Sequence, residues 1–221
     1  MRYLNKIVFI NSAAIRYSEV QLDGNIHLIG TQGVGKSTIL RAILFFYNAD
    51  TQRLGIPVEK KSYQDYYFPY ADSSIIYEVA REDGWFTVLS YKTMNRICYR
   101  FIASPYRPDL FIDEEGAPYP SDRIRSVLDK NGIKYSGAIS TYEEYRNILY
   151  GNSDNKRDYS CYSLMESGSY QNIIRTIQNV LLNSRLEADY IKQTIITSLN
   201  EADSVIDLSR YRSHLSGLRR N

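Results

Sequence analysis

Residues 30–37 read Gly30-Thr31-Gln32-Gly33-Val34-Gly35-Lys36-Ser37, which satisfies G-x-x-x-x-G-K-[ST] at every fixed position. The spacing has a physical reason. Glycines let the backbone close into a nest of N–H groups around phosphate without Cβ clashes. The helix that follows aims its positive N-terminus at the same anion. Lys36 is expected to reach the β- and γ-phosphates and the Ser37 hydroxyl to ligate Mg²⁺. Gly30, Gln32, Gly33, Val34, Gly35 and Thr38 complete the expected nucleotide contacts. The flanks agree: Ile26, Leu28 and Ile29 predict a short buried strand over 25–29, and Ile39, Leu40, Ala42, Ile43 and Leu44 predict an apolar helix over 36–47. The expected ligands are ATP and Mg²⁺.

On the N-terminal side, residues 4–11 and 16–22 read as strands, and Asp23-Gly24 marks the turn before the loop strand. Beyond the helix the pattern changes. Residues 73–80, 85–91 and 96–104 are apolar and aromatic-rich, with Asp83-Gly84 joining the first two as a hairpin. Leu110 to Asp113 continues the theme, so an antiparallel meander is expected over about 73–116 in place of alternating βαβ units. From Ser121 the period becomes helical, with Ile124, Val127 and Leu128 on one face and Asn131-Gly132 as the stop. Ser140-Thr141 with Glu143 and Glu144 predicts a capped helix ending at Tyr150-Gly151. Two further amphipathic helices are expected over 170–182 and 186–199, giving a helical part of about 121–199. Leu208, Tyr211, Leu215 and Leu218 are spaced 3, 4 and 3, an a/d seam. The expected division is therefore a lobe over 1–205 and the root of a coiled coil over 206–221.

Composition sets the class. The chain has 221 residues with a net charge of +2, and about a quarter of it is Leu, Ile, Val or Phe, enough for a folded core. No run of about 18 apolar residues predicts a membrane span, and no apolar stretch of about 7–15 residues predicts a secretory signal. Cys98 and Cys161 are too few and too far apart for a disulfide framework or a zinc site. A cytoplasmic location is expected. The 21 tyrosines, clustered in Tyr63-Gln64-Asp65-Tyr66-Tyr67-Phe68-Pro69-Tyr70, have a binding reading as base-stacking platforms. Their structural reading, as half-buried surface with a polar tip, fits better with the strand preference of Tyr.

Hydrolysis needs an acidic position on the Mg²⁺ side. Leu110-Phe111-Ile112-Asp113-Glu114-Glu115 offers Asp113, apolar residues running into carboxylates. Turn chemistry competes, because Glu114-Glu115-Gly116 precedes Pro118, and Pro108 shortens the apolar run. Leu215-Ser216-Gly217-Leu218 has the look of an ABC signature loop but lies on the a/d seam. His27 and His214 stand alone, so no triad or metal cluster is expected.

The arrangement of strand, strand, phosphate loop, helix, antiparallel meander, helices and incipient coiled coil resembles the N-terminal half of an SMC-type ATPase head in the ABC superfamily. Asp158-Tyr159-Ser160-Cys161-Tyr162-Ser163-Leu164-Met165-Glu166-Ser167-Gly168-Ser169-Tyr170 is similar to the matching segment of MukB-type proteins, through Tyr162, Leu164, Glu166 and Tyr170. Lys60-Lys61-Ser62-Tyr63 to Phe68-Pro69-Tyr70, and Ile75-Ile76-Tyr77-Glu78-Val79, resemble MukB-like proteins of Wadjet-type plasmid defence. The resemblance implies an α/β P-loop NTPase fold: an ABC/SMC-type head lobe with an antiparallel β-subdomain and C-terminal helices leading into a coiled coil.

It also implies a split site. The signature loop, Walker B strand and catalytic glutamate would come from a C-terminal half of the same head, and ATP would be sandwiched against a second SMC-type head. DNA and a kleisin-like subunit are the implied partners, with no membrane. The Mg²⁺-contacting glutamine of the family has no clean match; Gln171 is the nearest candidate and Glu166 the next. The family usually has Asn where this loop has Gln32. Arg16 and Tyr17 would lie near the adenine, or serve as ordinary strand residues. Arg210, Arg212, Arg219 and Arg220 would be the basic surface for DNA, against the commoner reading of a solvated helix face. The expectation is ATP binding with little turnover by this chain alone. The rivals are a self-contained small P-loop NTPase or nucleotide kinase using Asp113, and a module that holds nucleotide as a structural ligand.

Overall fold

Strands β1 (Tyr3–Ser12), β2 (Ile15–Gln21), β3 (Ser74–Arg81), β4 (Gly84–Thr93) and β5 (Arg96–Ile102) form one sheet in the order β2-β1-β3-β4-β5. Every neighbouring pair is antiparallel. The helices are α1 (Lys36–Asn48), α2 (Tyr63–Tyr67), α3 (Ser121–Lys130) and α4 (Tyr142–Leu149). The structure is a computed structural model that describes residues 2–164, except 25, 49, 52–53, 55, 57–58, 95 and 152–158. The described residues form an α/β protein with a five-stranded antiparallel sheet and few helices. They belong to the unit Met1–Leu182.

The central strands are covered on both faces. Ile7 and Phe9 of β1 share one core with Ile75, Tyr77 and Val79 of β3 and Phe86 and Val88 of β4. Val8 and Ile10 share the opposite core with Ile76 and Leu89. This is why 73–80 reads as a continuous apolar run and not as an alternation: both sets of side chains are removed from water. The edge strand β2 is only partly buried and is correspondingly polar.

The first core also contains Ala42, Leu44, Phe45 and Phe46 of α1, Tyr63 and Tyr67 of α2, and Tyr145, Ile148 and Leu149 of α4. The second contains Leu110, Phe111, and Ile124 and Leu128 of α3. Each large apolar side chain so buried contributes about 1.5–3 kcal/mol, and this holds α1 to the sheet. The other edge strand, β5, is bridged outward by Ile139 to Tyr99 and Tyr135 to Ile102, which among the described residues leaves β2 as the open edge.

The local signals behave as their chemistry dictates. Thr141 caps α4 by accepting from the Glu144 amide at 3.2 Å, and Gly151 follows the helix with φ +70°. Asn131 closes α3, and Gly132 beyond it has φ +64°. The β3–β4 connection is the expected tight hairpin, with Arg81 paired to Gly84.

Two expectations need correction, and one element was not foreseen. Residues 26–30 are not a strand, and Ile26 and Ile29 are 41% and 91% exposed. An isolated apolar segment gains a ladder only beside a partner, and among the described residues none lies alongside it. The meander ends at Ile102: Pro108–Leu110 is a 3₁₀ turn, and only Ile112 bridges Pro118. Pro108 starts that turn because its ring fixes φ and removes a ladder donor. The helix α2 was not expected; Ser62 starts it by accepting from the Asp65 amide at 3.1 Å. The expected helices over 170–182 and 186–199, the a/d seam and the basic cluster from Arg210 to Arg220 lie outside the described residues. Among the described residues no helix is long and apolar enough to cross a membrane.

Candidate functional site

Helix α1 begins at Lys36, directly after the glycine loop. Gly33 and Gly35 take φ +90° and +94°, a region that costs a residue with a Cβ about 1–2 kcal/mol. These two glycines turn the chain so that the helix can start where the loop closes. The Thr38 and Ile39 amides both donate to the Gly35 carbonyl, at 2.9 and 3.1 Å. The Lys36 ammonium donates to the Gly30 carbonyl and, at 2.7 Å, to the Thr31 carbonyl. It therefore lies across the loop's mouth instead of extending into solvent.

Along its length α1 is held by tyrosines from three elements. Tyr67 of α2, Tyr77 of β3 and Tyr145 of α4 donate to the carbonyls of Thr38, Ala42 and Phe46 at 2.7, 3.1 and 2.6 Å. Tyr150 adds a bond to the Tyr47 carbonyl at 2.7 Å. Rings stack behind them, Phe45 on Tyr63 at 4.4 Å and Tyr63 on Tyr67 at 4.1 Å. Within the tyrosine cluster, Tyr63 and Tyr67 take the structural reading: both rings are buried in the first core, and the Tyr67 hydroxyl is spent on α1.

A cleft of about 670 Å³ opens over the loop and the first turns of α1. It is lined by Gln32, Gly33, Gly35, Lys36, Ser37 and Thr38 together with Arg41, Lys60, Lys61, Tyr66 and Tyr67. Four cationic side chains face one cavity, and among the described residues no carboxylate lines it. Burial raises the Tyr67 pKa, and the nearby Arg41 charge opposes that rise. The Ser62 hydroxyl, with Lys92 and Lys61, holds the Asp65 carboxyl below its usual range. A 3.5 Å Lys92–Asp65 ion pair ties α2 to β4.

This donor set fits a polyphosphate: positive side chains, loop amides and two hydroxyls at a helix N-terminus. For Mg²⁺ the described residues offer the Ser37 hydroxyl and no carboxylate in the cleft lining. A cation here would need oxygens from the phosphates and from a further protein segment. Among the described residues no group of three or more His, Cys, Asp or Glu is placed to hold a metal ion.

The expected contact residues divide as follows. Gln32, Gly33, Gly35, Lys36, Ser37 and Thr38 line the cleft, Gly30 supplies a carbonyl to Lys36, and Val34 is exposed beside it. Asp113 is elsewhere. Its Oδ1 accepts from the Glu115 and Ala117 amides at 3.1 and 2.7 Å, closing the turn between Ile112 and Pro118. Arg16 lines two other clefts around the β1–β2 turn, and the Tyr17 hydroxyl meets Glu19 and Tyr106. Gln171 and Glu166 lie outside the described residues. Of the segment beginning at Asp158, Tyr159 and Tyr162 are buried in the first core, and Leu164 packs against it.

Sequence reasoning missed Arg41, Lys60, Lys61, Tyr66 and Tyr67 as lining residues. The signal was the basic pair Lys60-Lys61 immediately before an aromatic cluster. The fold was needed to fix its neighbour, because the chain runs 24 residues from Lys36 to Lys60 before returning. No curated protein matches this chain. A family model described as a protein of unknown function (DUF3584) matches residues 12–215, most of the length, and the chain belongs to that family.

Proposed function

We propose that this chain is the ATP-binding N-terminal half of an SMC/MukB-like ATPase head in the ABC superfamily, acting on DNA in chromosome organisation or plasmid defence. The observation that carries the reading is the cationic cleft over a glycine loop at the start of a sheet-packed helix, with no carboxylate among the described residues of its lining. The antiparallel sheet beside that helix supports the β-subdomain of such a lobe, and the exposed Ile26 and Ile29 support a missing neighbouring strand. In this reading Lys36 neutralises the terminal phosphates, the loop amides orient them, and Ser37 is the chain's Mg²⁺ ligand. When bound, Mg²⁺ supplies charge neutralisation at the phosphates. Walker B, the signature loop and the catalytic base come from a C-terminal half, and a second head, DNA and a kleisin-like subunit complete the assembly. The place of action is the cytoplasm.

The test is calorimetric ATP–Mg²⁺ binding by the full chain, with hydrolysis followed in parallel. Binding that Lys36→Ala abolishes, with turnover appearing only when a C-terminal segment is added, supports the half-site. Robust turnover by this chain alone overturns it in favour of a self-contained NTPase.

A further inference from the structure

We propose that Tyr66 is a positioning residue for phosphate in this cleft, acting through the hydroxyl of Thr38; the proposal rests on the nucleotide-binding reading above. Tyr66 lines the cleft, and its hydroxyl lies 3.3 Å from the Thr38 Oγ1. No motif assigns it a role.

The hydrogen-bond inventory of Thr38 carries the inference. Its amide donates to the Gly35 carbonyl at 2.9 Å, inside the first turn of α1. Its carbonyl accepts from Tyr67 at 2.7 Å. The side-chain hydroxyl is therefore what Thr38 can offer a ligand, and a hydroxyl has one proton and two lone pairs. A helical Thr commonly turns that proton back onto a carbonyl of the preceding turn. Here the hydroxyl instead meets Tyr66. When Tyr66 donates, the Thr38 proton is released toward the cleft. An anion there orders both hydroxyls into one chain, Tyr66 O–H to Thr38 O–H to phosphate oxygen, in which each bond polarises the next.

The geometry is set before any ligand arrives. The Tyr66 ring packs edge-on against Tyr67 at 5.0 Å, and Tyr67 is fixed to α1 through the Thr38 carbonyl. Ser62 caps the short helix and Asp65 pairs with Lys92. Tyr66 itself stays 39% exposed, so its hydroxyl is not a buried group that the fold must satisfy. Removing that hydroxyl leaves the ring contact intact. The change falls on the ligand and not on the core.

The experiment is a double-mutant cycle on the full chain, using Tyr66→Phe, Thr38→Val and the pair, with ATP–Mg²⁺ affinity and ligand-free Tm as readouts. One hydrogen bond to a charged chain predicts about threefold to tenfold weaker binding in Tyr66→Phe, with an unchanged ligand-free Tm. The same substitution in the Thr38→Val background should change affinity by less than about twofold, because the relay is already broken. Equal affinity of Tyr66→Phe and the parent chain overturns the proposal. So does an effect that persists undiminished in the Thr38→Val background, or one matched by a fall in ligand-free Tm. If the parent chain itself binds no nucleotide, the underlying reading of the cleft fails, which is a separate result.

Discussion

The Tyr67 hydroxyl donates to the main-chain carbonyl of Thr38 at 2.7 Å, beside the Ser37 that the glycine loop presents. Tyr77 and Tyr145 reach the carbonyls of Ala42 and Phe46. Positions 38, 42 and 46 are four residues apart and fall along one side of α1. A carbonyl oxygen has two lone pairs, so each can accept its helical N–H and a tyrosine together. The helix that carries the loop is thus held along its length by side chains from α2, β3 and α4.

Removing one of these hydroxyls should therefore cost stability in proportion to a single hydrogen bond. Tyr145→Phe and Tyr150→Phe are each expected to lose about 1 kcal/mol, a Tm drop of about 2–4 °C for a unit of this size. Tyr67→Phe should cost the same in Tm. It should also weaken nucleotide binding, because its partner Thr38 lines the cleft, whereas the Tyr47 carbonyl held by Tyr150 lies near the far end of α1. Thermal melts with ligand titrations on the three variants check this. Equal binding losses at Tyr67 and Tyr150 would show that the helix responds as one rigid body.

Gly35 tests the loop separately from the helix. At φ +94° nothing crowds an added Cβ, so Gly35→Ala meets a backbone penalty and no steric clash. The expected cost is about 1–2 kcal/mol. Much of it should appear as loss of nucleotide affinity, about tenfold or more, as the loop relaxes away from the φ its turn requires. Lys36→Ala removes the charge and leaves the backbone alone, so it should reduce affinity with little change in ligand-free Tm. Comparing the two by calorimetry and melting separates loop shape from loop charge.

Buried tyrosines also fix the alkaline limit of the fold. Burial raises the pKa of Tyr63, Tyr77 and Tyr145 well above the ordinary phenol value. A raised native pKa means that the folded chain keeps protons which the unfolded chain releases above about pH 10. Stability is then intact below about pH 10 and falls as the pH rises beyond it. Each such group adds to the slope, approaching about 1.4 kcal/mol per pH unit once the phenol is fully ionised in the unfolded chain. Urea melts between pH 9 and 11 should show it, and Tyr63→Phe should make the slope shallower by that one group's share. A flat profile across that range would mean that these phenols ionise in place.

How much of this the sequence disclosed depends on where each contact is made. The glycine loop, the start of α1 at Lys36, the hairpin at Asp83-Gly84 and the cap at Thr141 are local, set by residues within a few positions of one another. They were legible. The double-faced strands were legible as apolar runs, although their order was not, since the pairing of β1 with β3 spans more than 60 residues. The lead-in strand over 25–29 failed because apolar character alone cannot supply a ladder partner. The second wall of the cleft was hidden for a related reason: Lys60, Lys61 and Tyr66 come to the loop through the docking of α2 on α1, which rests on the Phe45–Tyr63–Tyr67 ring stack.

Asp113 gives the sharpest separation between the two readings of the candidate site. Its Oδ1 accepts two amides of its own turn, and it is absent from the lining of the cleft. Asp113→Ala should cost about 1 kcal/mol of stability through the lost turn bonds, and Asp113→Asn less, because an amide oxygen still accepts. Neither should alter ATP affinity or its Mg²⁺ dependence by more than about twofold. An NTPase that uses Asp113 on the Mg²⁺ side behaves differently: Asp113→Asn would keep the turn while abolishing Mg²⁺-dependent binding and turnover. Calorimetry of Asp113→Asn with and without Mg²⁺ decides between them, and a selective loss of the Mg²⁺-dependent component would overturn the placement of Asp113 as a turn residue alone.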